Sequence, residues 1–276
     1  MTVRFAEVAD GVHVLRYPVL DVNVTLVVGD GESVLVDTLS TAAQAAELAD
    51  AARAVASHPW TIVNTHHHFD HCFGNATLAG DGARPIWGHE EAAAELRQRA
   101  AALQREWYEE WLPINPDLAV GLAEVRVLPP TSTVHMVAEL AVGGRSVVLR
   151  HLGRGHTAGD LVVLVPDADV VVAGDLIEQG GPPTFGDAYP LEWPESVAAL
   201  CRLIGPGTVV VPGHGALVDE AFVRGQHEDL TALAWLIRDG HYDGAPVEAV
   251  AAKAPFGAAV ALPAIRRGYA ELAGRT

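Results

Sequence analysis

Cysteine and aromatic residues are scarce in this chain, and long apolar runs are missing from it. Only two of the 276 residues are cysteine, Cys72 and Cys201, and they lie far apart, so no disulfide framework is expected. Aromatic residues make up 6%, which predicts a core built mainly from alanine, valine and leucine. No apolar run reaches the roughly 20 residues of a membrane-spanning helix, and Met1 to Asp10 lacks the apolar region of a secretory signal. We therefore expect a cytoplasmic protein.

Positive charge is also in short supply. Lysine and arginine total 18 against 35 acidic residues, a formal net charge of −17. Nucleic-acid binding draws its affinity from basic side chains that meet phosphates, so this balance disfavours nucleic acid and anionic membrane surfaces as partners. A small-molecule substrate is the expected partner, and a homo-oligomer stays open. A buried pair of divalent cations would offset part of the charge locally.

Turn residues divide the chain into two similar halves of strands followed by helices, with no linker between them. We expect a single domain over residues 1–276, mostly helical from about residue 219, and this order of elements suggests two packed sheets with helices outside. The predicted strands are Val12–Leu15, Val22–Val28, Ser33–Val36, Thr61–Asn64, Pro85–Trp87, Val134–Leu140, Ser146–Leu152, Leu161–Val165, Val170–Ala173 and Thr208–Val211. The predicted helices are Thr41–Ala56, Glu90–Trp111 and Pro194–Ile204.

A cluster of histidines directly follows one predicted strand. His66 and His68 are two residues apart, and in an extended segment residues i and i+2 point the same way, so both imidazoles can reach one metal ion. Asp70 and His71 follow where a turn begins and can face a second ion. Alternation directs His67 away from these ligands, which makes it a packing or surface residue.

Three further candidate ligands each follow an apolar strand and have glycine beside them, namely His156, Asp175 and His214. Glycine permits the tight turns that bring such side chains to one point. A lone histidine after a strand is usually structural, but a His-x-His-x-Asp-His segment with three such later positions is far more specific. Imidazole and carboxylate donors favour zinc, with iron or manganese as alternatives.

At this point the sequence resembles the metallo-β-lactamase superfamily, from about Asn23 to His214. The segment from His66 to His71 matches that family's His-x-His-x-Asp-His motif, and the three later positions match its His, Asp and His motifs in order. The resemblance implies a four-layer αββα sandwich, an α/β fold, with the metals at one edge of two sheets. It also implies roles: His66, His68 and His156 hold one metal, Asp70, His71 and His214 hold the other, and Asp175 bridges them.

The implied activity is hydrolysis of a small ester, thioester, lactone or lactam by a metal-bridging hydroxide, with Asp70 orienting the hydroxide. Some zinc β-lactamases carry cysteine where this chain has Asp175, so it resembles more closely the branches with hydroxyacylglutathione hydrolases and lactonases. Three alternatives stay open: a persulfide dioxygenase with one iron, a phosphoesterase or nuclease, and a non-catalytic metal-binding protein.

Residues near these motifs are candidates for supporting roles. Asp37 ends a strand and either supports a metal ligand or caps a turn, and Thr65 and Thr157 are candidates for holding the ligand loops. His89 precedes a predicted helix and is expected to cap it, while Cys72 is expected to be a small buried core residue.

Two segments are candidates for a substrate wall. One is the stretch from Gly180 to Trp193, which follows the bridging aspartate, and the other is the helix that carries Trp107, Tyr108 and Trp111. Either segment can equally be a packed connector.

Overall fold

A computed structural model describes residues 3–80 and 85–274 of the chain. Within those ranges the strands are β1 (Ala6–Ala9), β2 (Val12–Tyr17), β3 (Val22–Val28), β4 (Ser33–Val36), β5 (Trp60–Val63), β6 (Ile86–His89), β7 (Ser132–Val134), β8 (Val137–Val142), β9 (Arg145–His151), β10 (Leu161–Val165), β11 (Val170–Glu178) and β12 (Val209–His214). The helices are α1 (Ala42–Val55), α2 (Phe69–Cys72), α3 (Asn75–Ala79), α4 (Glu90–Trp111), α5 (Pro116–Glu124), α6 (Trp193–Cys201), α7 (Glu220–Tyr242), α8 (Val247–Ala251) and α9 (Ala258–Leu272).

The strands divide into two sheets that follow chain order. Strands β1 to β7 pair in sequence in the first, and β8 to β12 pair in sequence in the second. Strands β3 and β12 meet through a single residue pair, Val22 with His214. That pair joins the two sheets at one edge and brings the end of β12 to the start of β3.

Alternating side chains bury both faces of each sheet. In β4, Val34 and Val36 join the valine-rich cluster between the sheets, together with Val172 of β11, while Leu35 packs with Leu48 of α1 on the outer face. In the second sheet, alternate β11 residues pack beneath α6, α7 and α9 in the same way. The layers are helix, sheet, sheet and helix, which confirms the expected αββα sandwich.

Several bounds differ from the sequence prediction. Strand β11 continues five residues past Ala173 and stays buried to Glu178, because the parallel strand β12 runs beside it to His214. Helix α5 was not predicted, although the Asn115 side chain accepts from the Leu118 amide and Pro116 occupies the first turn, both ordinary start signals. The strand expected over residues 134–140 is divided into β7 and β8.

The longest helices, α4 and α7, carry charged residues along their length. Neither these two nor any other helix of the described ranges is both long and apolar enough to cross a bilayer.

Candidate metal centre

The seven predicted ligands come together at the edge where the two sheets meet. His66 and His68 lie in the bend after β5, Asp70 and His71 lie in α2, and His156 lies between β9 and β10. The remaining two, Asp175 and His214, lie in β11 and at the end of β12. Four separate segments of the chain therefore supply one cluster, and each segment lies in a strand or in a connection next to one.

The first group contains His66, His68, His156 and Asp175, whose potential ligand atoms all lie within 4.8 Å of one another. The Nε2 atom of His156 lies 2.9 Å from Nδ1 of His68 and 3.3 Å from Oδ2 of Asp175. The Nε2 atom of His66 and the Nδ1 atom of His156 are buried and have no hydrogen-bond partner. This is a donor set for one metal ion.

The second group contains Asp70, His71 and His214, again with ligand atoms within 4.8 Å. Asp175 faces this group as well, because its Oδ1 atom is 3.2 Å from Nε2 of His71 and its Oδ2 atom is 3.4 Å from Nε2 of His214. The two oxygens of one carboxylate thus contact both groups. A Cβ atom on Gly213 would lie 1.7 Å from Oδ1 of Asp175, so a side chain there would displace this carboxylate.

The outer nitrogen of each imidazole in the second group has an acceptor of its own. Nδ1 of His71 donates to Asp37 over 2.8 Å, and Nδ1 of His214 donates to the carbonyl of Leu20 over 2.7 Å. Their Nε2 atoms lie 3.3 Å apart, and in the neutral tautomers that these bonds select each Nε2 directs a lone pair at the other. Two such lone pairs repel unless a cation lies between them, and that cation is either a proton or a metal ion.

The carboxylates control which imidazoles hold protons. Burial lowers the pKa of His214, but the charges of Asp175 and Asp70 outweigh it and raise this pKa to about 10. Burial and the same two carboxylates act on His71, whose pKa lies well above its ordinary value. On the other side, burial dominates and lowers the pKa of His156 to about 4. At His68, by contrast, burial also lowers the pKa, but Asp187 and the same two carboxylates outweigh it and raise the pKa to about 9. Protons therefore gather beside Asp70, Asp175 and Asp187, where a metal ion would compete with them.

Asp37 supports the centre from behind His71. Besides the His71 bond, its two carboxylate oxygens accept from the amide and the hydroxyl of Thr65, both over 2.8 Å. The backbone of Asp37 is left-handed, with φ of 68°, a conformation that disfavours residues other than glycine. Of the two roles considered for Asp37, the contacts favour support of a ligand.

Asp187 also contacts the centre, and the sequence motifs did not single it out. Both its carboxylate oxygens lie 3.2 Å from Nε2 of His68, and Oδ2 lies 3.3 Å from Nε2 of His67. His67 was expected to point away from the ligands, but its ring centroid lies 4.8 Å from that of His68, and His67, His68 and Asp187 form a further group of potential ligands. It is buried, which fits the packing role considered for it. The guanidinium of Arg267, in α9, donates to the carbonyls of Gly186, Asp187 and Ala188 and holds this loop.

Glu178 is a second acid that the motifs did not single out. It ends β11, is only 7% exposed, and lies with Asp175 and His214 in a further group of potential ligands. Its Oε1 atom has no hydrogen-bond partner. Burial, together with the charge of Asp175, raises the pKa of Glu178 well above its ordinary value. The sequence signal was weak, because an acid at a strand end is usually solvated.

The other supporting residues lie close to their expected positions. The amide and hydroxyl of Thr157 donate to Asp160, which is buried and whose pKa is raised by that burial to about 7. His89 caps α4 through Nδ1, which accepts from the Glu91 amide. Cys72 is buried in the core, as expected.

A cavity of about 610 Å³ opens beside the cluster. It is lined by Leu20, Asp21, His68, Phe69, Asp70, Trp107, Glu110, Trp111, Asp175, Glu178, Gln179, Gly180, Gly181, Pro182, Thr184, Gly186, Asp187 and His214. Both candidate walls therefore contribute, although not through all the residues expected. Phe185 and Trp193 lie in the hydrophobic core instead.

Comparisons with known proteins point to one family. A family model described as the metallo-beta-lactamase superfamily matches residues 17–214. A curated metallo-beta-lactamase type 2 from Bacillus cereus is 28% identical over 166 residues, which cover 59% of this chain and 54% of that protein. The chain thus spans about half the length of this curated relative. A hydroxyacylglutathione hydrolase from Acidiphilium cryptum is 28% identical over 226 residues, covering 81% of this chain and 77% of that protein.

Solved structures share the fold at lower identity. A metallo-beta-lactamase from Pontibacter korlensis has a TM-score of 0.67 and 20% identity, covering 83% of this chain and 99% of that one. The metallo-beta-lactamase FIM-1 from Pseudomonas aeruginosa, in its mono-zinc form, has a TM-score of 0.67 and 18% identity, covering 85% and 97%. Likeness at this level of identity establishes the fold.

Proposed function

The chain belongs to the metallo-β-lactamase superfamily, and we propose that it is a metal-dependent hydrolase with a binuclear centre, for which zinc is the expected metal. The observation that carries this proposal is the pair of Nε2 atoms of His71 and His214, 3.3 Å apart, each with its Nδ1 atom already committed to another acceptor. The side chains at this position fit a divalent cation by donor type, burial and orientation.

In this proposal His66, His68 and His156 hold one ion, Asp70, His71 and His214 hold the other, and Asp175 contacts both. A complete second group favours two ions over the single iron of a dioxygenase. Metal ions bound by these residues would supply a nucleophile by lowering the pKa of a water molecule to about 7, and would polarise the oxygen of the scissile bond.

The chain's own residues orient the reactants. Asp70 presents its Oδ2 atom 3.4 Å from Nε2 of His214 at the floor of the cavity, where it can hold the attacking water and accept its proton. Asp37 keeps His71 in one tautomer, and Asp187 does the same for His68. The ring of Trp107 lies 5.7 Å from that of His68 and limits the access of bulk water.

The substrate class proposed is a small ester, thioester, lactone or lactam. The presence of Asp175, where some zinc β-lactamases carry cysteine, favours the ester and thioester side of this range. The hydrolase relative from Acidiphilium cryptum aligns with more of this chain than the Bacillus cereus protein does, which supports the same preference. The net charge of −17 disfavours a nuclease.

A substrate panel with purified protein reconstituted with zinc, manganese or iron tests the proposal. Asp70→Asn keeps the side-chain shape but removes the carboxylate, and we expect it to lower kcat by about 100-fold or more. His156→Ala is expected to lose metal from the first group, whereas His58→Ala, remote from the site, serves as the control. Full hydrolysis by both site variants at unchanged metal content would refute these roles. A content of one iron per chain together with oxygen consumption would overturn the hydrolase proposal.

A further inference from the structure

Apart from the proposed metal ligands, the ionisable residues of the cavity wall are all acids. They are Asp21, Glu110, Glu178 and Asp187, and neither lysine nor arginine is among the described residues that line the cavity. Arg16 pairs with Asp21 at 2.5 Å. No lysine or arginine within the described ranges forms an ion pair with Glu110 or Glu178. Away from the proposed metal ions, an anionic group on a substrate would therefore find no lysine or arginine partner among the described residues of the wall.

Glu178 lines this cavity and has a buried side-chain acceptor without a hydrogen-bond partner. Its backbone amide donates to Gln226 over 3.0 Å, which fixes the end of β11, but its side-chain Oε1 has no partner although the residue is only 7% exposed. A buried acceptor without a donor costs free energy, so such groups usually meet a ligand or ordered water. Glu178 also lies beside Asp175 and His214, close to where the scissile bond would lie.

The opposite wall is aromatic. Trp107 and Trp111 lie one turn apart on α4 and share a face, and both rings pack against Phe69, at centroid distances of 4.8 Å and 6.0 Å. Aromatic faces attract alkyl chains and organic cations and do not attract carboxylates. The acidic residue and the aromatic wall thus favour the same kind of group.

We propose that the cavity binds substrates whose acyl group ends in a protonated amine, with Glu178 accepting a hydrogen bond from that amine and Trp107 and Trp111 covering its alkyl chain. This inference deepens the proposed hydrolase function and rests on it. Because Glu178 lies beside the second group of ligands, a short spacer between the amine and the scissile carbonyl fits best.

Matched phenyl esters of β-alanine, butanoic acid and succinic acid test the charge preference, since they have the same spacer and end in ammonium, methyl and carboxylate. For metal-loaded protein we expect kcat/KM to fall in that order. After each kcat/KM is divided by the rate of hydrolysis of the same ester without protein, the first step should be about tenfold or more, because a charge-assisted hydrogen bond and a cation over an aromatic face together exceed the free energy of one factor of ten. Equal rates for the ammonium and methyl esters, or a preference for the carboxylate, would overturn the proposal.

Substitution of Glu178 tests whether this residue causes the preference for the ammonium ester. Glu178→Gln is expected to bring the ammonium-to-methyl ratio of kcat/KM close to one while the metal content stays at the wild-type value. Glu109→Gln, on the same helix as Glu110 but outside the cavity lining, should leave the ratio unchanged. Loss of a metal ion from Glu178→Gln would make Glu178 a metal ligand and would overturn the proposed contact with the amine.

Calorimetry with the anilides of β-alanine and butanoic acid separates this inference from the hydrolase proposal, because slow amide hydrolysis allows binding to be measured alone. Tighter binding of the β-alanine anilide, with no ester hydrolysed, would support the amine site and refute the hydrolase. Ester hydrolysis with equal binding of the two anilides would support the hydrolase and refute the amine site.

Discussion

Removal of the Arg267 side chain is the sharpest test of how the metal centre is held. Arg267 lies in α9, and its guanidinium donates to three consecutive carbonyls, those of residues 186, 187 and 188, at 3.1, 3.0 and 2.5 Å. The middle residue, Asp187, accepts from His68, a proposed ligand. Arg267→Ala is therefore expected to weaken metal binding without touching any ligand.

The size of the effect follows from these contacts. Hydrogen bonds to a charged group contribute about 1.5–3 kcal/mol each, and water replaces part of this because the loop is partly exposed. Losing the partner that orients a ligand costs about 10–100-fold in metal affinity, or about 1.4–2.7 kcal/mol. The free energy of the three bonds is therefore at least as large as this loss of metal affinity. We expect the Kd for the first zinc ion to rise about tenfold or more in Arg267→Ala.

Competition with a chromophoric chelator measures this Kd, and the neighbouring arginine supplies a matched control. Arg266 is exposed, and within the described ranges its one ion pair is with Glu248, at 3.7 Å. The Arg266→Ala variant should therefore bind zinc as tightly as the wild type does. The Asp187→Asn variant should show the same zinc affinity as Arg267→Ala. The double variant should bind zinc no more weakly than Asp187→Asn, because both substitutions remove the same contact to His68. Equal zinc affinities for Arg267→Ala and Arg266→Ala would refute this reasoning.

Three further predictions concern the Asp175 carboxylate and the protons of the site. Gly213→Ala would place a Cβ atom 1.7 Å from Oδ1 of Asp175, so zinc stoichiometry should fall, whereas Gly225→Ala, with open space around it, should retain full stoichiometry. Zinc binding at pH 7 should release protons, because the nearby carboxylates raise the pKa of His68 to about 9, through Asp187 above all, and that of His214 to about 10 despite burial. Calorimetry in buffers of different ionisation enthalpy measures this release, and its absence would contradict the assignment. The metal-free protein should also lose stability as pH rises from 6.5 through about 10, since both folded-state pKa values lie above the unfolded value of 6.5, and urea unfolding across that range would show a flat profile if the prediction is wrong.

The seven proposed ligands were predictable because they fall in four short segments next to apolar runs of the sequence, and the three later ones also have glycine beside them. The ends of neighbouring strands lie close together at one edge of a sandwich, whatever the conformation of the loops between them. The positions of the motifs in the sequence were therefore enough to predict that these side chains meet. The lengths of β11 and β12 were harder to predict, since Gly174 and Gly213 resemble turn residues. In the fold, Gly174 has φ of 55° and sits at a register shift, and the strand continues past it.

Asp187 and Glu178 could not be predicted, for different physical reasons. The direction of the Asp187 side chain depends on Arg267, which is 80 residues further along the chain, and no local periodicity records such a contact. Glu178 resembles the solvated end of a strand, and its burial follows only from the parallel pairing of β11 with β12. Both residues depend on long-range packing, which periodicity does not report.

In His66 and His68, one of the two ring nitrogens faces the metal site, and the contact of the other nitrogen decides which one it is. His66 and His68 face one group, yet His66 presents Nε2 and His68 presents Nδ1, since Nδ1 of His66 contacts the Thr65 hydroxyl and Nε2 of His68 contacts Asp187. The partner of the second nitrogen, and not the spacing of the histidines, sets each choice. For His68 that partner is held by Arg267, outside residues 17–214 that match the family. Helix α9 therefore helps to position His68 of the candidate metal centre, and we expect its metal affinity to depend on this contact.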